Sequence, residues 1–123
     1  MATILLIDSD AISRKLAMLV LQHAGHHVVS ATDAVQGAEL ARRHKPLLVL
    51  MGIGPHNEHD ARTARELKAD PVTSGVRVHA LVARTLASRR AHLLEAGFDG
   101  VLGKPLNHRE LYRHVLAALR GRG

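Results

Sequence analysis

The chain has 123 residues, 46% of them hydrophobic, with a formal charge of +6 at neutral pH and no cysteine. That length makes one domain, able to bury roughly two thirds of the surface its unfolded chain exposes. The missing cysteine excludes disulfides, thiolate metal sites and a Cys nucleophile, and no apolar run nears the roughly 18 residues of a membrane-crossing helix.

Ile4 to Ile7 is a continuous apolar run closed by Asp8-Ser9-Asp10. Continuity, as opposed to alternation, predicts a strand buried on both faces of a parallel sheet. Ile12, Leu16, Leu19 and His23 then fall at helical spacing, and Gly25 ends that helix. His27 to Ser30 reads as a short strand. Asp33 can cap a helix through His44, with Ala34, Val35, Ala38 and Ala41 inward and Pro46 as the stop. Leu47 to Met51 is the most apolar strand. After the polar loop from His56 to His59, Asp60 can cap a third helix with Ala61, Ala64 and Leu67 inward, ended by Asp70-Pro71. Val76 to Leu81 is a strand. Leu86 to Ala96 is a helix with Ala87, Ala91 and Leu94 inward, which leaves Leu86 and Leu93 on its flank, and Gly97 closes it. Gly100 to Leu102 is a short strand, and Asn107 with Glu110 makes a capping box for a last helix to Arg120.

Five strand–helix units in strict alternation predict an α/β fold: one doubly wound parallel sheet of five strands with five helices on its two faces, three layers in all. Ligands of such sheets bind at the carboxyl ends of the strands. Strand one delivers Asp8, Ser9 and Asp10 there, strand three Gly52, strand four Val82 and Ala83, and strand five Lys104-Pro105.

These residues carry a resemblance. "ILLIDSD", "KPLLVLMGI" and "GFDGVLGKPL" resemble the first, third and fifth strands of the CheY-like receiver domains of two-component response regulators, over essentially the whole chain. Gly52 lies thirty residues before Val82 and fifty-two before Lys104, the family's spacing. The resemblance implies a flavodoxin-like fold and a signalling role in place of an enzymatic one. In the family an aspartate on strand three accepts a phosphoryl group from a kinase phosphohistidine. Mg²⁺ is held by that aspartate, an acidic pair and a backbone carbonyl, while a Ser or Thr on strand four and a Lys on strand five bind the phosphoryl oxygens.

Carried over residue by residue, the pattern is uneven. Asp8 matches the first acid, Ser9 replaces the second, and Asp10 can reach a metal through water. Gly52 stands at the phosphoacceptor position, Val82 replaces the hydroxyl, and Val101 stands where many receivers have a switching Tyr or Phe. Lys104 and Pro105 match. The expectation is a degenerate phosphorylation site made of Asp8, Ser9, Gly52, Val82, Lys104 and Pro105. It needs no cofactor, binds Mg²⁺ weakly at most through Asp8 and Asp10, and holds a Lys104–Asp8 ion pair. The alternative is a conventional regulator with an unorthodox acceptor, for which Glu58 and Asp60 are the available acids.

The implied role is phosphorylation-independent docking, in the cytoplasm, to a histidine kinase, an output domain or another receiver. The expected partner or homodimer surface runs across helices four and five: Leu86, Leu93, Val101, Tyr112, Leu116 and Leu119. In the last helix, Leu111, Val115 and Ala118 face the sheet. The positive charge admits a nucleic-acid module, but its basic residues are scattered and no aromatic stacking platform accompanies them. His56, His59 and Asp60 are spaced for a metal site as well as for a solvated loop. The end at Arg120-Gly121-Arg122-Gly123 suits one domain of a longer protein.

Overall fold

A computed structural model describes residues 2–53, 58–83 and 90–121, with the backbone alone for 58–60. Strands and helices alternate in the expected order: β1 (Thr3–Ile7), α1 (Ala11–His23), β2 (His27–Ala31), α2 (Ala34–His44), β3 (Leu48–Gly52), α3 (Glu58–Ala69), β4 (Arg77–Ala83), α4 (Arg90–Glu95), β5 (Gly100–Lys104) and α5 (His108–Leu119). The five strands form one parallel sheet in the order β2-β1-β3-β4-β5. Successive side chains of each strand point to opposite faces, so each face has its own core. Ile4, Leu6, Leu48, Leu50 and Leu81 pack with Ala17 and Leu21 of α1 and with Leu111, Val115 and Ala118 of α5. Leu5, Ile7, Val49, Met51 and Val78 pack with Ala41, Ala64, Leu67 and Leu93 of α2, α3 and α4. The expected doubly wound, three-layer architecture is the one observed.

Local chemistry sets the helix ends. Asp10 accepts from Ile12 N–H, Asp33 from Gln36 N–H, and Asn107 from the N–H groups of Arg109 and Glu110. Gly25, at φ 93°, takes the left-handed turn after α1 that a side chain would resist. Asp60 is not a cap, because α3 begins two residues earlier at Glu58.

Three helix faces differ from expectation. The stripe Ile12, Leu16 and Leu19 faces solvent, at 81%, 36% and 57% exposure; Ala17 and Leu21 face the sheet instead. α1 carries two apolar stripes, and the one with the smaller Ala17 lets the helix approach the strands closely. In α2, Val35 is exposed and Gly37 and Ala41 are buried. A Cβ at position 37 would run into Ile7, so the glycine sets the distance between α2 and β1. In α4, Leu93 is buried at 1% exposure while Ala91 and Leu94 face outward. The helix is only six residues long. One large side chain decides which way so short an element faces, and leucine gains more from burial than alanine.

Behind the sheet, His79 of β4 meets His114 of α5, Nδ1 to Nε2 at 2.6 Å. His79 is buried, and a Cβ at position 100 would lie 2.5 Å from its Nδ1, so Gly100 makes the room for the ring. Burial first, then the neighbouring His114, pulls His79 down to about 4; Asp99 raises it, and Arg77 and Lys68 lower it. His114 is also lowered, by burial and then by Arg90. The folded state therefore keeps His79 neutral down to about pH 4 and disfavours the charged form of His114, while the unfolded chain takes up protons near pH 6.5. Between pH 6.5 and about 4 the unfolded state binds more protons, so stability falls as pH falls and this contribution levels off below that window. The expected loss is about 2 kcal/mol, since water reaches the half-buried His114. Urea unfolding across this range should show that slope in the natural chain and not in His79→Leu/His114→Leu. Equal slopes in both would show that the pair contributes nothing.

Candidate functional site

The sheet order reverses direction between β1 and β3, which opens a crevice at their carboxyl ends. β1 and β3 pair with Ile7 level with Met51, so Asp8 and Gly52 come side by side just beyond. On the far side, Leu81 of β4 is level with both Gly52 and Leu102, and β5 then carries Lys104 to the same edge. Asp8, Gly52 and Lys104, scattered over the whole sequence, therefore share one end of one sheet face.

Asp8 is the centre of this cluster. It is 3% exposed, its N–H donates to Ala31 C=O at 3.0 Å, and its Oδ1 accepts from Asp10 N–H at 3.0 Å. Its Oδ2 lies 2.7 Å from Lys104 Nζ, the expected ion pair. That oxygen accepts no aligned hydrogen bond, so the ammonium meets it as a point charge and is its one compensating group among the described residues. The carboxylate leans over Gly52: a Cβ on residue 52 would lie 2.6 Å from Asp8 Cγ and 2.7 and 2.9 Å from its oxygens. The glycine is thus a matter of space.

The other expected residues divide. Asp10 is exposed at the mouth, but its oxygens are taken up by Ile12 N–H and the Ser13 hydroxyl. The Ser13 hydrogen bond, followed by that from Ile12, holds its carboxyl below the usual carboxylate range. Ser9 is exposed, and Pro105, exposed beside the cluster, follows Lys104 through a cis peptide bond. Val82 is turned away, buried among Ala80, Met51 and Ile53 on the opposite face of the sheet, because the pleat alternates. Arg14 was not anticipated. Its guanidinium donates to Asp8 C=O at 2.7 Å, reaching back from the first turns of α1. A basic residue six positions after a strand-end acid was the available sequence signal.

These residues do not fit a magnesium ion. Mg²⁺ asks for several oxygens in octahedral array; Gly52 offers no carboxylate, one Asp8 oxygen is held by Lys104, and Asp10 caps α1. Among the described residues no three His, Asp or Glu side chains gather as a metal site. His56 lies outside the described residues, as do the side chains of Glu58, His59 and Asp60.

The expected partner surface is altered. Leu86 lies outside the described residues. Leu93 is a core residue, removed from the surface by the rotation of α4. Val101 is half-buried against the same core, and Leu119 packs against the core under α5. Leu116 is half-buried, and Tyr112 is half-exposed.

Comparison with known proteins agrees with this geometry. Residues 4–116 match the response regulator receiver domain family. The chain is 30% identical over 121 residues to the phosphate regulon transcriptional regulatory protein PhoB of Pseudomonas aeruginosa, covering 98% of this chain and 53% of that protein. It is 28% identical to the protein PilH of the same organism, over 98% of this chain and all of that one. The chain thus spans about half of PhoB and the full length of PilH. Among solved structures, the receiver domain of the sensor histidine kinase PA1611 from P. aeruginosa superposes with a TM-score of 0.82 at 26% identity, over 97% of this chain and 98% of that one. In that structure a magnesium ion is coordinated in the active-site cleft. Five parallel strands in this order, an acid and a lysine meeting at their carboxyl edge, and a family match over nearly the whole chain lead to one statement: the chain belongs to the response regulator receiver domain family.

Proposed function

We propose that this receiver domain works in two-component signalling without phosphoryl transfer, as a protein-docking module whose site is closed by its own side chains. One observation carries the reading: the volume a side chain at position 52 would occupy is filled by the Asp8 carboxylate, which Lys104 holds there. No nucleophile stands at the end of β3, and Lys104, whose charge would otherwise meet phosphoryl oxygens, already neutralises Asp8. Val82 supplies no hydroxyl at the end of β4, and its side chain is buried on the opposite face of the sheet. The partner classes are a histidine kinase, an output domain or another receiver, in a cytoplasmic setting.

Acetyl phosphate with Mg²⁺ is expected to add no acid-labile phosphate, as read by intact-mass spectrometry. A stoichiometric adduct on Asp8, Asp10, Glu58 or Asp60 would overturn the proposal. In the same samples, Mg²⁺ is expected to bind at millimolar concentration or weaker, because it gives up its waters reluctantly to so few free carboxylate oxygens. Saturable NMR shifts at Asp8 in the micromolar range would contradict that.

A further inference from the structure

At the end of the sheet opposite Asp8 and Lys104, two imidazoles lie together. His27 is the first residue of β2 and His44 the last of α2. Their ring centroids are 6.4 Å apart, with the planes inclined at 51°. Both residues are exposed, and among the described residues neither ring has a hydrogen-bond partner, so the lone pair of each imidazole is free. The backbone beneath them is fixed. His27 N–H donates to Ala2 C=O at 2.9 Å, and the residue lies level with Thr3 in the ladder of β1 and β2. Lys45, left-handed at φ 47°, closes α2 directly after His44 and donates its N–H to Ala41 C=O at 2.8 Å.

We propose that His27 and His44 together bind one copper ion, with water in its remaining positions. Neutral imidazole is a good ligand for this metal. The spacing decides the geometry. A metal about 2.0 Å from a ring nitrogen stands about 3.2 Å from that ring's centroid, so two rings on opposite sides of one ion have centroids roughly 6.4 Å apart. That is the observed separation. Opposite imidazoles suit the square plane of Cu²⁺, whereas tetrahedral Zn²⁺ would draw the centroids to roughly 5.2 Å. Each exposed side chain turns on two torsions, which bring a nitrogen to face the gap. The local charge also admits a cation. The gap lies at the C-terminal, negative end of α2. Arg42 and Arg43 of the same turn are already paired with Asp70 and Glu39, at 3.1 Å each. One ion held by both rings ties the start of β2 to the end of α2, and so favours the folded state.

The pair lies away from the crevice at Asp8, so the inference does not rest on the docking reading, and the phosphoryl test leaves it untouched. Isothermal titration at neutral pH, with Cu²⁺ carried as its glycine complex, measures the site. One ion per chain is expected at the tightest site. Below one equivalent, copper should broaden the ring resonances of His27 and His44 before those of the other histidines. His27→Gln and His44→Gln, both at exposed positions, should each weaken the site at least about tenfold. The double variant should lose little more than either single one, because one ion needs both rings. His92→Gln, on α4, should change nothing. The thermal midpoint of the natural chain should rise with Cu²⁺ more than that of either variant. Equal affinity in the natural chain and both variants, which copper on the amino terminus or on another histidine would give, overturns the proposal. So does a loss confined to one of the two variants, or no binding at millimolar copper. Tighter binding of Zn²⁺ than of Cu²⁺ overturns the choice of metal, and with it the opposed geometry.

Discussion

Lys104→Ala is expected to destabilise the domain by about 3 kcal/mol. Removing one partner of a buried ion pair costs roughly 3–5 kcal/mol, because the remaining charge is left without compensation. The lysine side chain is 19% exposed and Asp8 only 3%, so some solvent screening places the expectation near the low end. The cost is asymmetric. Asp8→Asn leaves a lysine that can reach water, and about 1 kcal/mol is expected. Asp8→Asn/Lys104→Met leaves no charge unpaired, so the double variant should be more stable than Lys104→Ala, a non-additivity typical of groups in contact. Urea unfolding at neutral pH measures all three. A Lys104→Ala variant within about 0.5 kcal/mol of the parent would show that Asp8 is satisfied by water, and the closed site would lose its main support.

Gly52→Asp should be the other costly change, and the one that a cation rescues. The new Cβ is fixed by the backbone and falls 2.6 Å from Asp8 Cγ, so the Asp8 carboxylate must swing out of its place over β3. That movement strains or breaks the contact with Lys104 and sets two carboxylates around one ammonium. A loss of about 2–3 kcal/mol is expected without divalent ions. With two facing carboxylates the crevice gains the oxygen ligands it lacks. Mg²⁺ at about a hundred times its dissociation constant would then return about 2.7 kcal/mol. Gly52→Ala separates the causes: it carries the same Cβ and no charge, so it should lose stability and show no response to Mg²⁺. Thermal unfolding with and without Mg²⁺ reads both variants. If Gly52→Asp is as stable as the parent in chelator, the Asp8 carboxylate does not occupy the space above position 52.

What the sequence by itself determined was the order of elements, the caps of the second and last helices and the residues delivered to the carboxyl edge. These follow from local rules: continuous apolar runs such as Ile4 to Ile7 and Leu48 to Met51 make buried strands, and Asp33 and Asn107 satisfy the first N–H groups of their helices. Alternation of strand and helix then leaves little freedom in topology, so the approach of Lys104 to Asp8 was legible across a separation of ninety-six residues. Which side of each helix turns inward was decided only by tertiary packing. α1 and α4 each offer more than one apolar stripe, and the choice fell to the shape of the opposing layer: Ala17 and Leu21 fit the sheet where Ile12 and Leu19 do not, and Leu93 supplies more buried area than Ala91. The same holds at the site. The sequence places a glycine at position 52, but only the sheet register, with Ile7 level with Met51, puts the Asp8 carboxylate into the space above it. Periodicity records which residues could be buried; close packing between layers selects which of them are.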